Sequence, residues 1–246
     1  MVNNNDIADV LVIGAGASSA AFCWSLSQAG INVVCLEQGG WLPQNSFPTT
    51  DPDAQLHLQT DFNFNPNFRK MPEDYPINES ETPIAPLMWN GVGGGTIHWG
   101  SHIPRFHPSD FLLKTQDGVA DDWPLTYQEL EPYYDLNDRM TGVSGLSGDP
   151  AYPPKAERPC PPLSIRGAGK AIAKGFDKLG WHWWSSDTAI SSVTYDGREP
   201  DSGGFLRSGA GADLNYWPKA VNQGTRLKTY ARVREILVDQ KGEATG

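Results

Sequence analysis

The chain has 246 residues, of which 39% are hydrophobic and 20% are charged, and its formal net charge is −10. These values are typical of a globular protein, and the acidic balance argues against nucleic acid as a partner, because phosphates attract a basic surface. The sequence has no apolar run near the ~20 residues that span a bilayer, and its amino terminus lacks a basic signal region. It therefore predicts no membrane segment and a cytoplasmic location.

The chain contains three cysteines, Cys23, Cys35 and Cys160. An odd number without regular spacing predicts neither a disulfide framework nor a metal site. Cys23 and Cys35 lie in apolar segments, so we interpret them as small buried side chains.

The first forty residues carry the pattern of a strand, a helix and a second strand. Residues 8–13 (ADVLVI) predict a strand that is buried on both faces. After the glycines at 14–16, apolar residues at helical spacing predict a helix over 17–29. Residues 31–36 (INVVCL) predict a second buried strand, which ends at Glu37.

The turn between the first strand and the helix has the pattern of a dinucleotide cradle. Gly14 permits the tight turn, and Gly16 lets the backbone approach a pyrophosphate at the helix N-terminus. Glu37 follows the second strand, where a carboxylate can accept hydrogen bonds from ribose hydroxyls. Ser19 replaces the usual third glycine, and we expect it to widen the helix–strand packing slightly. The pattern alone does not distinguish FAD, NAD and a glycine turn without a ligand.

The middle of the chain is less regular. Residues 41–90 are rich in proline and predict an irregular excursion over the surface. Helices are predicted over 126–140 and 167–179, and the proline-rich residues 153–162 mark a domain junction. Three tryptophans follow the second helix; we interpret them as core in preference to a sugar-binding wall: Trp181, Trp183 and Trp184.

At the carboxyl end, residues 225–238 alternate apolar and polar side chains and predict a strand. Residues 239–242 predict a turn, and residues 243–246 begin a return strand. A strand whose partner is only begun would keep unpaired backbone groups. The sequence therefore predicts an amino-terminal fragment of a longer protein.

A second glycine-rich segment, residues 89–99 (WNGVGGGTIHW), lets the backbone approach a large flat group. Here the sequence resembles the glucose–methanol–choline (GMC) oxidoreductases, particularly their gluconate-dehydrogenase-like and pyranose-oxidase-like branches. The resemblance spans nearly the whole chain in the family's order. It is carried by residues 36–40 (LEQGG), 92–94 (VGG), 98–99 (HW), 104–106 (PRF), 122–125 (DWPL), 132–134 (PYY) and 230–233 (YARV).

The resemblance implies an α/β fold with a Rossmann-like FAD-binding domain over 1–155, including a flavin loop over 89–106. It further implies the start of a substrate-binding domain over 156–220 and a return to the FAD-binding domain over 221–246. The implied FAD-binding residues are Gly14, Gly16, Ala17, Ser18, Glu37, Gln38, Gly93, Gly94, Thr96, His98, Trp99 and Val233.

Within that set, the resemblance implies specific roles for two residues. Val233 would meet the adenine through its backbone. His98 matches a histidine that is bonded covalently to the flavin in pyranose-oxidase-like members, whereas other branches keep the histidine without the bond. No iron–sulfur centre is expected, because residues 200–213 contain no cysteine.

The resemblance implies oxidation of the CH–OH group of an alcohol or sugar, by hydride transfer to flavin N5. The family's basic histidine lies in a carboxy-terminal domain, and no residue here matches it, so no catalytic residue is predicted in this chain. The electron acceptor is not specified. Two alternatives stay open: a non-catalytic nucleotide-binding fragment and, more weakly, an NAD(P)-dependent dehydrogenase, in which the second glycine-rich segment has no role.

Overall fold

The computed structural model describes residues 7–43, 46–47, 53–85, 87–200 and 210–246. These residues form two compact units. The first contains the described residues of 1–99 and Gly211–Gly246, and the second contains the described residues of 100–210. This division groups residues 100–155 with the second unit, whereas the domain boundary expected from the sequence falls after 155. The functional assignment of the domains stays a prediction.

The first unit is built on a parallel sheet. Strand β1 (Val10–Ile13) leads into helix α1 (Ala17–Gln28), which returns to strand β2 (Val33–Leu36). A third strand, β3 (Arg226–Lys228), pairs with β2 on the side away from β1, and all pairings are parallel. The predicted α/β fold with a βαβ unit is confirmed.

The two predicted strands differ in burial. Val33, Val34 and Cys35 of β2 are buried, as the sequence predicts, but Leu11 and Ile13 of β1 are 47% and 48% exposed. Burial of β1 on both faces is therefore a wrong expectation. Within the described residues β1 pairs only with β2, so its other edge has no neighbouring strand.

Helix α7 (Tyr216–Asn222) packs against α1 and has no counterpart in the sequence predictions. The Tyr216 ring contacts Trp24 of α1 edge to face, with centroids 5.7 Å apart. Ser27 of α1 donates to the Gln223 side chain at 3.3 Å. These contacts join segments that are almost 200 residues apart, which is why local periodicity does not reveal them.

The predicted strand over 225–238 is much shorter in the structure, where β3 ends at Lys228. The chain then turns at Tyr230, whose φ is +54°, and its N–H donates to Gly39 O at 3.1 Å. Beyond this turn, residues 231–237 do not extend β3 and instead line a cavity. The predicted turn is present, since Val238 and Ala244 form an antiparallel bridge around it.

The excursion over 41–90 contains two single-turn helices, α2 (Ala54–His57) and α3 (Pro66–Arg69). Phe47, Trp89 and Ile97 form a small buried cluster beneath it. Arg69 is almost fully buried and forms an ion pair with Asp74 at 2.6 Å. The segment is therefore irregular in backbone but fixed by specific side-chain contacts.

The second unit begins with a short 3₁₀ segment (Pro108–Leu112) and helix α4 (Leu113–Asp117). Helix α5 (Tyr127–Thr141) begins at a capping box between Thr126 and Glu129, and α6 (Ala168–Leu179) follows after the proline-rich stretch. Both helices agree with the sequence predictions to within one residue at each end.

A buried ion network holds this second unit together. Arg105 Nη2 lies 2.5 Å from Asp138 of α5, and Arg158 Nη1 lies 2.7 Å from the same carboxylate. The Arg105 guanidinium also lies 5.3 Å from the Tyr134 ring centroid. Three of the motifs that carry the family resemblance, 104–106, 122–125 and 132–134, thus lie in the second unit. The first and the third of them are in contact through Arg105 and Tyr134.

The tryptophans of the second unit do not form a core. Trp181 is 60% exposed, and Trp183 and Trp184 line an apolar cavity of about 410 Å³ together with Leu146 and Leu163. The core interpretation is therefore wrong, because Trp181 is exposed and Trp183 and Trp184 are only partly buried. The segment 200–213, for which no iron–sulfur centre is expected, lies mostly in 201–209, outside the described residues.

None of the helices formed by the described residues is long and apolar enough to cross a membrane. The three cysteines are free and buried, which confirms the interpretation of Cys23 and Cys35. No group of three or more His, Cys, Asp or Glu side chains in the described chain is arranged to hold a metal ion.

Candidate functional site

The cradle turn has the backbone geometry that its glycines predict. Gly14 has a φ of +85°, and its N–H donates to Leu36 O at 2.8 Å, which ties the turn to the end of β2. Gly16 is the N-cap of α1 in an extended conformation. Ala17 and Ser18 follow as exposed residues of the first helical turn. The free N–H groups at this helix end are therefore accessible.

Glu37 lies directly beside this turn and is 5% exposed. Its Oε2 accepts from Ala15 N–H at 2.7 Å, and its Oε1 accepts from Gly39 N–H at 2.8 Å. The carboxylate therefore holds the cradle in shape. Each oxygen keeps a second lone pair, so the predicted contact with a ribose hydroxyl stays a prediction that the geometry allows.

The second glycine-rich segment lies against the cradle. Gly93 N–H donates to Ala15 O at 2.8 Å, and a 3₁₀ turn follows over Gly94–Ile97. A Cβ added at Gly94 would lie 3.1 Å from Gly16 Cα. The two segments that the sequence places about 80 residues apart thus form one site, and the short contact explains why a glycine is needed there.

Gly39 shows the same requirement for close backbone approach. A Cβ at this position would lie 2.0 Å from Asn90 O, and the next residue, Gly40, forms a parallel bridge with Gly91. The residues after β2 therefore pack directly against the start of the loop.

Thr96 has an internal role in the loop. Its hydroxyl donates to Gly93 O at 2.7 Å and accepts from Ala212 N–H at 2.9 Å. The first bond closes the turn within the loop, and the second joins the loop to the segment that precedes α7. Because the hydroxyl is already engaged, its predicted contact with a cofactor would require its remaining lone pair.

His98 and Trp99 supply the unsatisfied polar atoms of the site. His98 Nε2 and Trp99 Nε1 are buried and have no hydrogen-bond partner among the described residues. The His98 ring stacks on Phe64, with centroids 4.3 Å apart, and meets Trp89 edge to face at 5.9 Å. Burial lowers the pKa of His98 below its ordinary value, with a smaller contribution from the charge of Arg69. The imidazole is therefore neutral at neutral pH.

Arg69 and Asp74 form a support behind His98 that the sequence did not predict. Arg69 Nη1 donates to Met88 O at 3.0 Å, and its guanidinium lies 4.7 Å from the Trp89 ring centroid. Asp74 also accepts from Asn90 at 2.7 Å. A buried arginine in an irregular, proline-rich segment gives no periodic signal, so only the fold identifies it.

Val233 lies in a different part of the site. It lines a cavity of about 430 Å³ with Leu11, Ile13 and Leu36, and the chain leading to it is fixed by Ala231 N–H, which donates to Glu37 O at 2.8 Å. Gln38, the residue after Glu37, is half-buried. The structure thus brings the Val233 segment to the same strand end as the cradle.

Curated proteins of similar sequence carry the names of dehydrogenases. The 2-methyl-1,2-propanediol dehydrogenase of Mycolicibacterium austroafricanum is 40% identical over 100% of this chain and 46% of its own length. This relative supports the resemblance of the chain to the amino-terminal portion of the GMC oxidoreductases. The fructose dehydrogenase large subunit of Gluconobacter japonicus is 26% identical over 100% of the chain and 49% of its own length. No family model matches the chain. The chain spans about half the length of these curated relatives.

Solved structures of similar fold include a formate oxidase of Aspergillus oryzae, which was studied for FAD modification. It has a TM-score of 0.50, 12% identity, and coverage of 95% of this chain and 40% of the other. A fungal aryl-alcohol oxidase also has a TM-score of 0.50 and 12% identity, with coverage of 91% and 38%. These likenesses concern the fold, and they agree with the βαβ sheet seen here.

The residues of this chain fit a dinucleotide with a flat ring system. The cradle offers free N–H groups at a helix end, and the loop adds two buried ring nitrogens without a partner in the described chain. A third contributor, Trp217 of α7, was missed because α7 was not predicted. Its indole Nε1–H donates to Ala15 O at 2.9 Å.

Proposed function

We propose that this chain binds FAD and forms the cofactor-binding portion of an oxidoreductase that acts on the CH–OH group of an alcohol or sugar. In this proposal the cradle holds the ADP half through Gly14, Gly16, Ala17, Ser18 and Glu37. The flavin supplies the redox chemistry as hydride acceptor at N5. No residue of this chain is proposed as the catalytic base, and we expect the chain alone to be inactive.

The contact between the loop and the cradle is the observation that carries the proposal. Gly93 N–H bonds to the cradle carbonyl of Ala15 at 2.8 Å, and the same loop carries the buried nitrogens of His98 and Trp99. A cradle alone would suit NAD as well as FAD. The loop gives a reason to prefer a cofactor with a large flat ring that needs polar contacts along its edge.

The substrate class is proposed from the relatives. One is a dehydrogenase of 2-methyl-1,2-propanediol and another a dehydrogenase of fructose, and both substrates carry CH–OH groups. We extend only this class, an alcohol or sugar, to the present chain. A cytoplasmic location stays a proposal from the sequence.

His98 is proposed as a flavin contact through Nε2, which has no partner in the described chain. A neutral imidazole keeps a lone pair for bonding, and burial lowers the pKa of His98, which favours that form. A covalent bond from this residue to the flavin is the stronger version of the proposal. A hydrogen bond at the same place is the weaker one.

Titration of the purified chain with FAD tests the proposal. We expect saturable quenching of FAD fluorescence, competition by ADP, and weaker competition by NAD. Gly94→Val should weaken FAD binding by about tenfold or more, because its side chain would meet Gly16 Cα. Gly95→Ala is the matched control, since a Cβ there meets nothing within 4 Å.

A chain that shows no saturable change with FAD would contradict the proposal. Acid precipitation of the FAD complex distinguishes a covalent bond from His98 to the flavin from a hydrogen bond at the same place. Flavin that stays with the wild-type pellet but not with a His98→Ala pellet supports the covalent bond, and flavin lost from both excludes it.

A further inference from the structure

Two hydrogen bonds converge on the carbonyl oxygen of Ala15. Gly93 N–H donates to it at 2.8 Å, and Trp217 Nε1–H donates to it at 2.9 Å. This carbonyl belongs to the peptide that joins Ala15 to Gly16. In a trans peptide the C=O and the N–H point in opposite directions, so the two donors also fix the direction of Gly16 N–H.

Gly16 N–H is available to a ligand. Gly16 is the N-cap of α1, and no described residue accepts a hydrogen bond from its N–H. Such groups bind phosphate through a direct hydrogen bond and through the partial positive charge of the helix end. The direction of this N–H therefore affects how well it meets a phosphate oxygen.

Trp217 is held firmly enough to set that direction. Its side chain is fully buried, and its backbone N–H donates to Ala212 O at 3.0 Å. It lies on α7, which packs against α1 through the contact of Tyr216 with Trp24. A buried indole N–H needs an acceptor, and here it uses the second lone pair of a carbonyl that already bonds to Gly93.

We propose that Trp217 is a positioning residue of the dinucleotide site. Its indole N–H holds the Ala15–Gly16 peptide in the orientation that points Gly16 N–H at a ligand phosphate. This inference rests on the proposed FAD binding and deepens it, because it assigns part of the phosphate recognition to a residue 202 positions away along the chain.

Two replacements of Trp217 test the inference. Trp217→Phe removes the donor and part of the ring, whereas site-specific 3-benzothienylalanine replaces N–H by sulfur and keeps the shape. We expect both to weaken FAD and ADP by about tenfold, the effect of one hydrogen bond to a charged group. ADP is included because it contacts the cradle without the flavin loop.

Tyr216→Phe is the control from the same helix, and we expect less than about a twofold change in either affinity. Thermal unfolding of each variant is measured in parallel. The benzothienylalanine variant should keep a midpoint close to that of the wild type, so that its loss of affinity cannot come from loss of structure.

The outcomes are distinguishable. Wild-type FAD binding together with unchanged FAD and ADP affinities in the benzothienylalanine variant would overturn the inference alone. A wild-type chain that binds neither FAD nor ADP would overturn the proposed function and the inference with it. Loss of affinity in the benzothienylalanine variant with an unchanged midpoint supports the positioning role.

Discussion

The two glycine-rich segments of the site differ in how their polar atoms are bonded. In the cradle, over residues 14–16, the protein bonds the polar groups of Ala15 itself. Its N–H donates to Glu37 at 2.7 Å, and its carbonyl accepts from Gly93 at 2.8 Å and from Trp217 at 2.9 Å. The shape of the cradle is therefore a product of the fold.

In the loop over 93–99, the hydrogen bonding of the polar atoms is less complete. His98 Nε2 and Trp99 Nε1 are buried without a partner among the described residues, and a buried polar group of this kind reduces stability. We therefore expect substitutions of Glu37 and Gly39, which hold the cradle through hydrogen bonds of the Glu37 carboxylate, to lower the free energy of unfolding first. Loop substitutions should alter ligand binding first. Three measurements test this difference.

Gly39→Ala should have the largest effect. Its Cβ would lie 2.0 Å from the backbone oxygen of Asn90, so the backbone must move, and we expect a loss of about 4 kcal/mol in the free energy of unfolding. Denaturant unfolding measures this loss. Gly95→Ala in the loop is the control and should change stability by no more than about 0.5 kcal/mol. Equal effects of the two substitutions would contradict the comparison.

Glu37→Gln should have an intermediate effect. The glutamine side chain retains one acceptor and places an amide N–H₂ against a backbone N–H, which leaves a buried donor unsatisfied. We expect a loss of about 2 kcal/mol in the free energy of unfolding without ligand. The exposed Glu243→Gln should leave stability unchanged. If Glu37→Gln weakened only FAD binding and kept wild-type stability, the cradle would not be formed by the fold itself.

His98→Gln should have the smallest effect on stability, and the effect should depend on pH. Burial lowers the pKa of His98 in the folded chain, so below the ordinary value of about 6.5 the unfolded chain binds this proton first. The wild type should therefore lose stability as the pH falls below that value, and His98→Gln should show a shallower loss.

Urea unfolding between about pH 5 and pH 7 measures this slope. An unchanged slope in His98→Gln would show that His98 titrates alike in the folded and unfolded chains.

Much of the site could be predicted from sequence because its parts are local. The strand, turn and helix around Gly14 depend on neighbouring residues, and so do the capping box at Thr126 and the limits of α6. The loop was recognised from its glycines, whereas its FAD-binding residues and Val233 were assigned through the family resemblance. Their contacts with a cofactor stay predictions.

The tertiary structure decided which distant groups meet. Trp217 reaches Ala15 across 202 positions, and Arg69 supports Trp89 from an irregular segment. Neither contact leaves a periodic pattern, because one indole N–H or one guanidinium requires only a suitable acceptor in space. The burial of β1 was misjudged for a similar reason, since apolar residues on a strand indicate a surface suited to burial but not whether another element covers it.

The sequence by itself thus determined the βαβ unit, the glycine positions and the resemblance to the GMC oxidoreductases. Backbone turns and helix limits follow from residues within a few positions of each other, and a motif records them directly. Only the tertiary structure decided that the loop bonds to the cradle, that Glu37 braces the turn and that Trp217 completes it. These contacts depend on the packing of α7 against α1 and on the order of the strands, which are properties of the whole first unit.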